Sequence, residues 1–229
     1  MIGCLVGSEM CIRDRILATV CVILVFKSRN FAVGITLKKT EVILTALVGL
    51  ILIGEGVSTI SMFLICLGGA GVFFLSKKVS SVDRSNFSIL NKSAVYGLLS
   101  GLLFAISAVC YRSATLSVVS DLVYLRAGFT LLIVILSQSF VMTIWLALFE
   151  PGQIKLVWFE RKKGFWVGVT SLGGSFFWFT AFTLQNAAYV KALGQIELIF
   201  SLLITTLFFK ERILNREILG MLLIGISAL

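Results

Sequence analysis

The chain has 229 residues, of which 59% are hydrophobic and only 14% are charged, and its mean hydropathy is +1.05. Soluble domains carry about 25% charged residues, so this composition excludes a disordered chain and argues against a soluble domain. The net charge of +9 would suggest nucleic acid in a soluble protein. Here the basic residues form no stripe interleaved with aromatic residues, so we expect no nucleic-acid partner.

Apolar segments that can cross a bilayer recur along the whole chain. Charged residues and Gly, Asn or Pro breaks divide them into eight predicted spans: 16–26, 31–53, 60–75, 94–111, 122–148, 165–184, 187–209 and 213–229. Pro151, the only proline, follows the fifth span and is expected to end it. We therefore predict an all-α, multi-pass integral membrane protein.

Residues 1–15 differ in character from the rest of the chain. Their sequence, MIGCLVGSEMCIRDR, is similar to the translation of a sequencing-library adapter and lacks the apolar core of a signal peptide. We expect this segment to be non-native and the natural chain, read from a 5′-truncated gene, to begin near Ile16. The first predicted span is then cut short.

The sequence carries no recognisable catalytic or metal-binding set. It has no histidine and no CxxC pair, and Cys21, Cys66 and Cys110 all lie in apolar segments. The GxSxG, HExxH and Walker lysine motifs are absent as well. We predict that the protein is not an enzyme and that it uses no cofactor and no metal ion.

Basic residues concentrate on one predicted side of the membrane. Two spans separate each basic loop from the next, so all four loops fall on the same face. The thirteen cations are Lys27, Arg29, Lys77, Lys78, Arg84, Lys92, Lys155, Arg161, Lys162, Lys163, Lys210, Arg212 and Arg216. Only Arg112 and Arg126 fall opposite. The positive-inside rule makes the basic face cytoplasmic and places the C-terminus outside.

Two stretches of the chain repeat each other without a gap. Residues 26–73 align with 182–229 at an offset of 156, and ten of the 48 positions are identical. Asn30/Asn186, Glu41/Glu197 and Glu55/Glu211 are among the identical pairs. Spans 31–53 and 187–209 are five steps apart in the list, so the two copies cross in opposite directions. This order predicts an inverted repeat about a pseudo-two-fold axis in the membrane plane.

Each copy shows an asparagine break, a glutamate, thirteen residues and a second glutamate, followed by a glycine-bearing span. This pattern resembles the EamA domain of the drug/metabolite transporter superfamily. The resemblance implies ten helices in two five-helix halves, about eight of which are present here. Residues 16–76 would end the first repeat, 77–92 would form a basic linker, and 93–229 would form the second repeat. Family members often have proline after the first glutamate, where this chain has Val42 and Leu198, so no proline-dependent kink is expected.

Polar residues lie deep inside two spans, where a charge costs several kcal/mol unless it is paired or hydrated. They are Lys38, Lys39 and Glu41 in the first copy, and Lys191, Gln195, Glu197 and Ser201 in the second. In one interpretation the glutamates line a cavity and bind a cationic or zwitterionic solute or exchange protons, while the lysines suit a carboxylate. In the other, each lysine neutralises a glutamate and only locks the helices together.

Other residues favour structural roles. Tyr111 and Trp178 lie inside spans and are candidates for stacking on a substrate, although lipid or core packing is the commoner use of such rings. Asn186 is expected to form a turn. Gly97 and Gly101, at GxxxG spacing, permit close helix approach.

These patterns together predict a secondary transporter in the bacterial inner membrane. It would move a small polar metabolite, such as an amino acid or a related solute, by alternating access. Its expected partners are that small molecule and the lipid bilayer, with protons as a candidate coupling ion and a monomer or homodimer as the assembly. The alternatives are a non-transporting membrane helper or assembly subunit, and an inactive truncated fragment.

Overall fold

The computed structural model describes the backbone of residues 2–27, 34, 37–76, 92–209 and 215–227. Within these ranges the side chains of 2–12, 74–76, 151, 156, 163, 201–202, 205–206, 208–209 and 215–217 are not described. The described part is helical and contains no strand. Its helices are α1 (Ile2–Lys27), α2 (Glu41–Leu52), α3 (Thr59–Ser76), α4 (Lys92–Ser117), α5 (Val123–Phe149), α6 (Pro151–Phe159), α7 (Arg161–Leu184), α8 (Ala187–Gly194), α9 (Ile196–Phe209) and α10 (Asn215–Ser227).

Three of these helices are long and apolar enough to cross a membrane. They are α4, α5 and the Gly164–Leu184 part of α7, while Glu41–Leu52, Thr59–Phe73 and Ile218–Ser227 are shorter apolar helices. Large apolar side chains cover the outside of α5, where Phe140 is 68% exposed and Leu148 is 72% exposed. An apolar surface of this kind fits hydrocarbon rather than water. The predicted helical membrane protein agrees with these observations.

The helices coincide with the predicted apolar spans, with four differences. α1 begins at Ile2 rather than near residue 16, and α6 lies in a loop where no helix is predicted. α5 ends at Phe149, and Pro151 is the first residue of α6, where a missing N–H costs nothing. The spans predicted over 31–53 and 187–209 are interrupted, because α2 begins only at Glu41 and Gln195 separates α8 from α9. The predicted linker up to residue 91, Asn30 and Glu211 lie outside the described residues.

The chain divides into two compact units, and the boundary runs through α1 and α4. Unit 1 comprises Met1–Arg13 and Cys110–Gln185. In it α5 packs on α6 and α7. The guanidinium of Arg112 donates from Nη1 to the carbonyl oxygens of Phe182 (2.8 Å) and Thr183 (2.7 Å), in the last turn of α7. A cation at this end complements the helix dipole and satisfies carbonyls that have no partner within the helix.

Unit 2 comprises Asp14–Val109 and Asn186–Leu229. Here α3 packs on α10 through glycines that bring the two backbones close together. A Cβ atom added at Gly71 would lie 2.8 Å from the carbonyl oxygen of Gly220 and 3.0 Å from Cγ1 of Ile224. One added at Gly68 would meet the side chain of Ser227. Gly68, which precedes Gly71 in α3, therefore faces Ser227, which follows Ile224 in α10. The two helices thus run antiparallel.

A small apolar core joins α2 to α8 in the same unit. Its buried members are Val42, Ala46, Ile65, Ala188 and Ala192. Because three of these five side chains are alanine methyl groups, the two helices can approach closely. This packing holds the polar ends of α2 and α8 side by side.

Candidate functional site

Both copies of the repeat contain a helix break at the same position. A turn at Lys39–Thr40 precedes α2, and a turn at Gln195 precedes α9, which is the position of Lys39 shifted by the repeat offset of 156. The N–H of Thr40 donates to the carbonyl of Leu37 (3.1 Å). The N–H of Gln195 donates likewise to that of Ala192 (3.0 Å). In both turns the hydrogen bond joins residues three apart, as in a 3₁₀ helix, rather than four apart as in an α-helix. Because this tightens the backbone locally, neither break needs a proline.

The breaks turn two glutamates from mid-helix residues into helix-start residues. Glu41 is the first residue of α2, and Glu197 lies in the first turn of α9. A carboxylate is favoured at a helix N-terminus because the unpaired N–H groups there carry partial positive charge. The depth of these residues along the chain indicated their importance, but their place at helix starts was not predicted.

One glutamate of the pair is held by a lysine from the other copy. Lys191, in the last turn of α8, donates from Nζ to Oε1 of Glu41, a residue 150 positions earlier in the chain. The Glu41 side chain is 13% exposed and that of Lys191 is 21% exposed. The pair is therefore largely shielded, and it ties the N-terminus of α2 to the C-terminus of α8.

Further charged side chains from both copies of the repeat lie near the Lys191–Glu41 pair. The groups close enough to act electrostatically on Lys38 are Glu41, Lys39, Lys191 and Glu197. The ammonium of Lys38 also lies 4.7 Å from the centroid of the Phe104 ring, on α4, in a cation–π contact. Three lysines and two glutamates thus form one cluster with a formal charge of +1. We call these five residues the charged cluster.

A buried amide borders the charged cluster. Oε1 of Gln195 is buried and accepts no hydrogen bond from any described residue. A buried acceptor without a donor is costly, so it marks a place where a donor from outside the protein is favoured. The side chain of Ser201, predicted to share this face, lies outside the described side chains.

The two aromatic candidates lie in unit 1, whereas the charged cluster lies in unit 2. Tyr111 is 1% exposed, and its ring centroid lies 4.9 Å from that of Phe179. Trp178 is 37% exposed and packs on Phe182 at 5.7 Å. These contacts favour packing roles for both rings.

Asn186 and the GxxxG glycines have the structural roles that their residue types predict. Asn186 caps α8, accepting from the N–H of Ala188 at 3.0 Å, and its Nδ2 donates to the Glu55 carbonyl at 3.5 Å. A Cβ added at Gly101 would lie 3.0 Å from the carbonyl oxygen of Lys38. The glycine spacing predicts a close backbone approach at this point. It does not identify Lys38 as the residue that approaches, and it does not predict the contact between the Lys38 ammonium and the Phe104 ring.

Comparison with known proteins identifies the fold only. No protein-family model matches this sequence, and no curated protein matches it. Solved structures do share its fold. One of them, described only as the crystal structure of a protein, is 16% identical and superposes with a TM-score of 0.68. The superposition covers 96% of this chain and 74% of that one.

Proposed function

We propose that this chain is a secondary transporter of the drug/metabolite transporter superfamily, of the EamA type, that moves a small polar metabolite by alternating access. The observation that carries the proposal is the charged cluster at two equivalent helix breaks. Interrupted helices in transporters place unpaired backbone groups and charges around a midplane substrate site. A wholly structural bundle has no need of five charged residues at this depth.

Contacts between the two repeat copies support an inverted repeat. Gly68 faces Ser227, and Gly71 faces Ile224. At the offset of 156, Gly68 is equivalent to Ile224 and Gly71 to Ser227, so the second contact is the first one with the copies exchanged. Reciprocal contacts of this kind are characteristic of a two-fold axis. The antiparallel course of α3 and α10 supports an axis in the membrane plane. We propose that this axis relates two five-helix halves, of which about eight helices are present.

The contact between α2 and α8 fits the same arrangement. Asn186, at the start of α8, bonds to Glu55 beyond the end of α2, whereas Lys191, at the end of α8, bonds to Glu41 at the start of α2. The two helices, one from each copy, therefore run antiparallel. Rocking one copy against the other would act directly on the charged cluster, which is the coupling that alternating access requires.

Counterflow in liposomes tests the proposal. The purified chain is reconstituted, loaded with an unlabelled amino acid and given the labelled form outside, across a panel of acidic, basic and neutral amino acids. We expect uptake of at least one, and its loss in the double variant Glu41→Gln/Glu197→Gln. Glu55→Gln, a loop carboxylate, is the matched control and should retain uptake.

A transporter should also show quenching of its tryptophan fluorescence by the cargo. A membrane helper or an inactive fragment would show neither counterflow nor quenching. Counterflow that persists in the double variant would show that the two glutamates are dispensable and would remove the charged cluster as the site.

A further inference from the structure

The two glutamates that the repeat makes equivalent have different surroundings. We infer that Glu41 is a structural residue tied to Lys191, and that Glu197 is the carboxylate that receives a cation during transport. The cation is either the ammonium group of the cargo or a coupling proton. This inference rests on the proposed function, and it gives each member of the pair a separate role.

The sequence itself prevents the two copies from forming the same ion pair. At the offset of 156, Lys191 is equivalent to Ile35, and Lys38 is equivalent to Gly194. The sequence position equivalent to Lys191 therefore holds an aliphatic residue, so the repeat supplies no second lysine at this position. The charged cluster is asymmetric even though its backbone breaks are equivalent, and an asymmetric site suits a single solute bound between two related halves.

Glu41 is already neutralised within the protein. Its carboxylate is largely shielded and accepts from the ammonium of Lys191. Freeing it for a ligand would leave Lys191 uncompensated in the same shielded place, and breaking a buried pair by losing one partner is strongly destabilising. The pair therefore acts as a tie between α2 and α8.

Glu197 is exposed, and no hydrogen bond or ion pair joins its side chain to another described residue. Glu197 is close enough to act electrostatically on Lys38, as are Lys39, Glu41 and Lys191, which come from the segment before α2, from α2 and from α8. Lys191 is bound to Glu41, and Lys38 lies over the ring of Phe104. Glu197, with the unsatisfied Oε1 of Gln195 two residues before it, is therefore the acceptor that remains open to a cation.

Three variants in the intact chain test the inference, each measured for its Tm in detergent and for counterflow at acidic and neutral pH. Lys191→Gln should lower the Tm and slow transport, because it strands the Glu41 carboxylate. Adding Glu41→Gln should recover the lost Tm and raise transport above that of the single variant. Glu197→Gln should leave the Tm unchanged and weaken cargo binding or transport by about tenfold or more, the loss expected for one charge-assisted contact.

The pH dependence separates the two cations. If Glu197 receives a proton, Glu197→Gln abolishes the pH dependence of transport; if it receives the cargo ammonium, the pH dependence remains and the KM rises. Wild-type counterflow with normal Glu197→Gln transport overturns the inference while leaving the proposed function standing. A Glu41→Gln/Lys191→Gln variant with a Tm below that of Lys191→Gln also overturns it. Absence of counterflow in the wild type removes the proposed function and the role of Glu197 with it.

Discussion

Substituting Gly71 by alanine tests the close packing of α3 on α10. The new Cβ would lie 2.8 Å from the carbonyl oxygen of Gly220, and 3.0 Å from both Cγ1 of Ile224 and Cβ of Leu223. A backbone oxygen cannot rotate away, so the two helices must separate by roughly 0.6 Å to restore an ordinary contact. Gly225→Ala, on α10, is the matched control, because a Cβ there meets nothing within 4 Å.

The magnitudes follow from two opposing terms. Alanine is favoured over glycine in a helix by about 0.8–1.0 kcal/mol, so the control should be neutral or stabilising. Overpacking costs about 1–3 kcal/mol, and only Gly71→Ala incurs it. The two variants should thus differ by about 1–3 kcal/mol, which is roughly 2–12 °C in Tm for a chain of this size.

Thermal unfolding of the purified variants in one detergent measures this difference, with far-ultraviolet circular dichroism as the probe. The wild type, Gly71→Ala and Gly225→Ala are compared side by side at equal protein and detergent concentration. Equal Tm values for the two variants would refute the close contact between α3 and α10. They would also remove the reciprocal contacts that support the inverted repeat.

Two further substitutions test contacts that hold helix ends. Arg112→Gln removes the guanidinium from the last carbonyls of α7 and should destabilise the chain by about 1–3 kcal/mol in thermal unfolding, whereas Lys27→Gln, at an exposed position, should not. Asn186→Ala removes the cap of α8 and should cost about 1 kcal/mol, whereas Asn186→Asp keeps the capping oxygen and should recover most of it. An Asn186→Ala variant as stable as the wild type would contradict the capping role.

The interrupted helices mark the limit of sequence reasoning here. Apolar composition predicted continuous spans over 31–53 and 187–209, because nothing at Thr40 or Gln195 resembles a helix breaker. The first break lies where the backbone of Lys38 packs closely against Gly101 of α4. Local propensity has no term for such contacts, so tertiary packing overrides it.

For the charged cluster, the sequence predicts the residues but not the contacts between them. Its glutamates and lysines stood out because ionisable residues are rare in spans of this kind. The sequence does not show how they pair, because Lys191 and Glu41 are 150 residues apart in the chain. The burial of Tyr111 likewise depends on Phe179, a neighbour that only the folded chain supplies.

The sequence by itself determined the helical class, the apolar segments, the repeat and the small set of polar residues worth testing. All four are properties of residue type and spacing, which act locally or recur along the chain. Only the tertiary structure decided where the helices break, that Lys191 ties Glu41, and that the Glu197 side chain is exposed. Those outcomes depend on which distant segments come into contact, and the free energy of each contact exists only once both partners are in place.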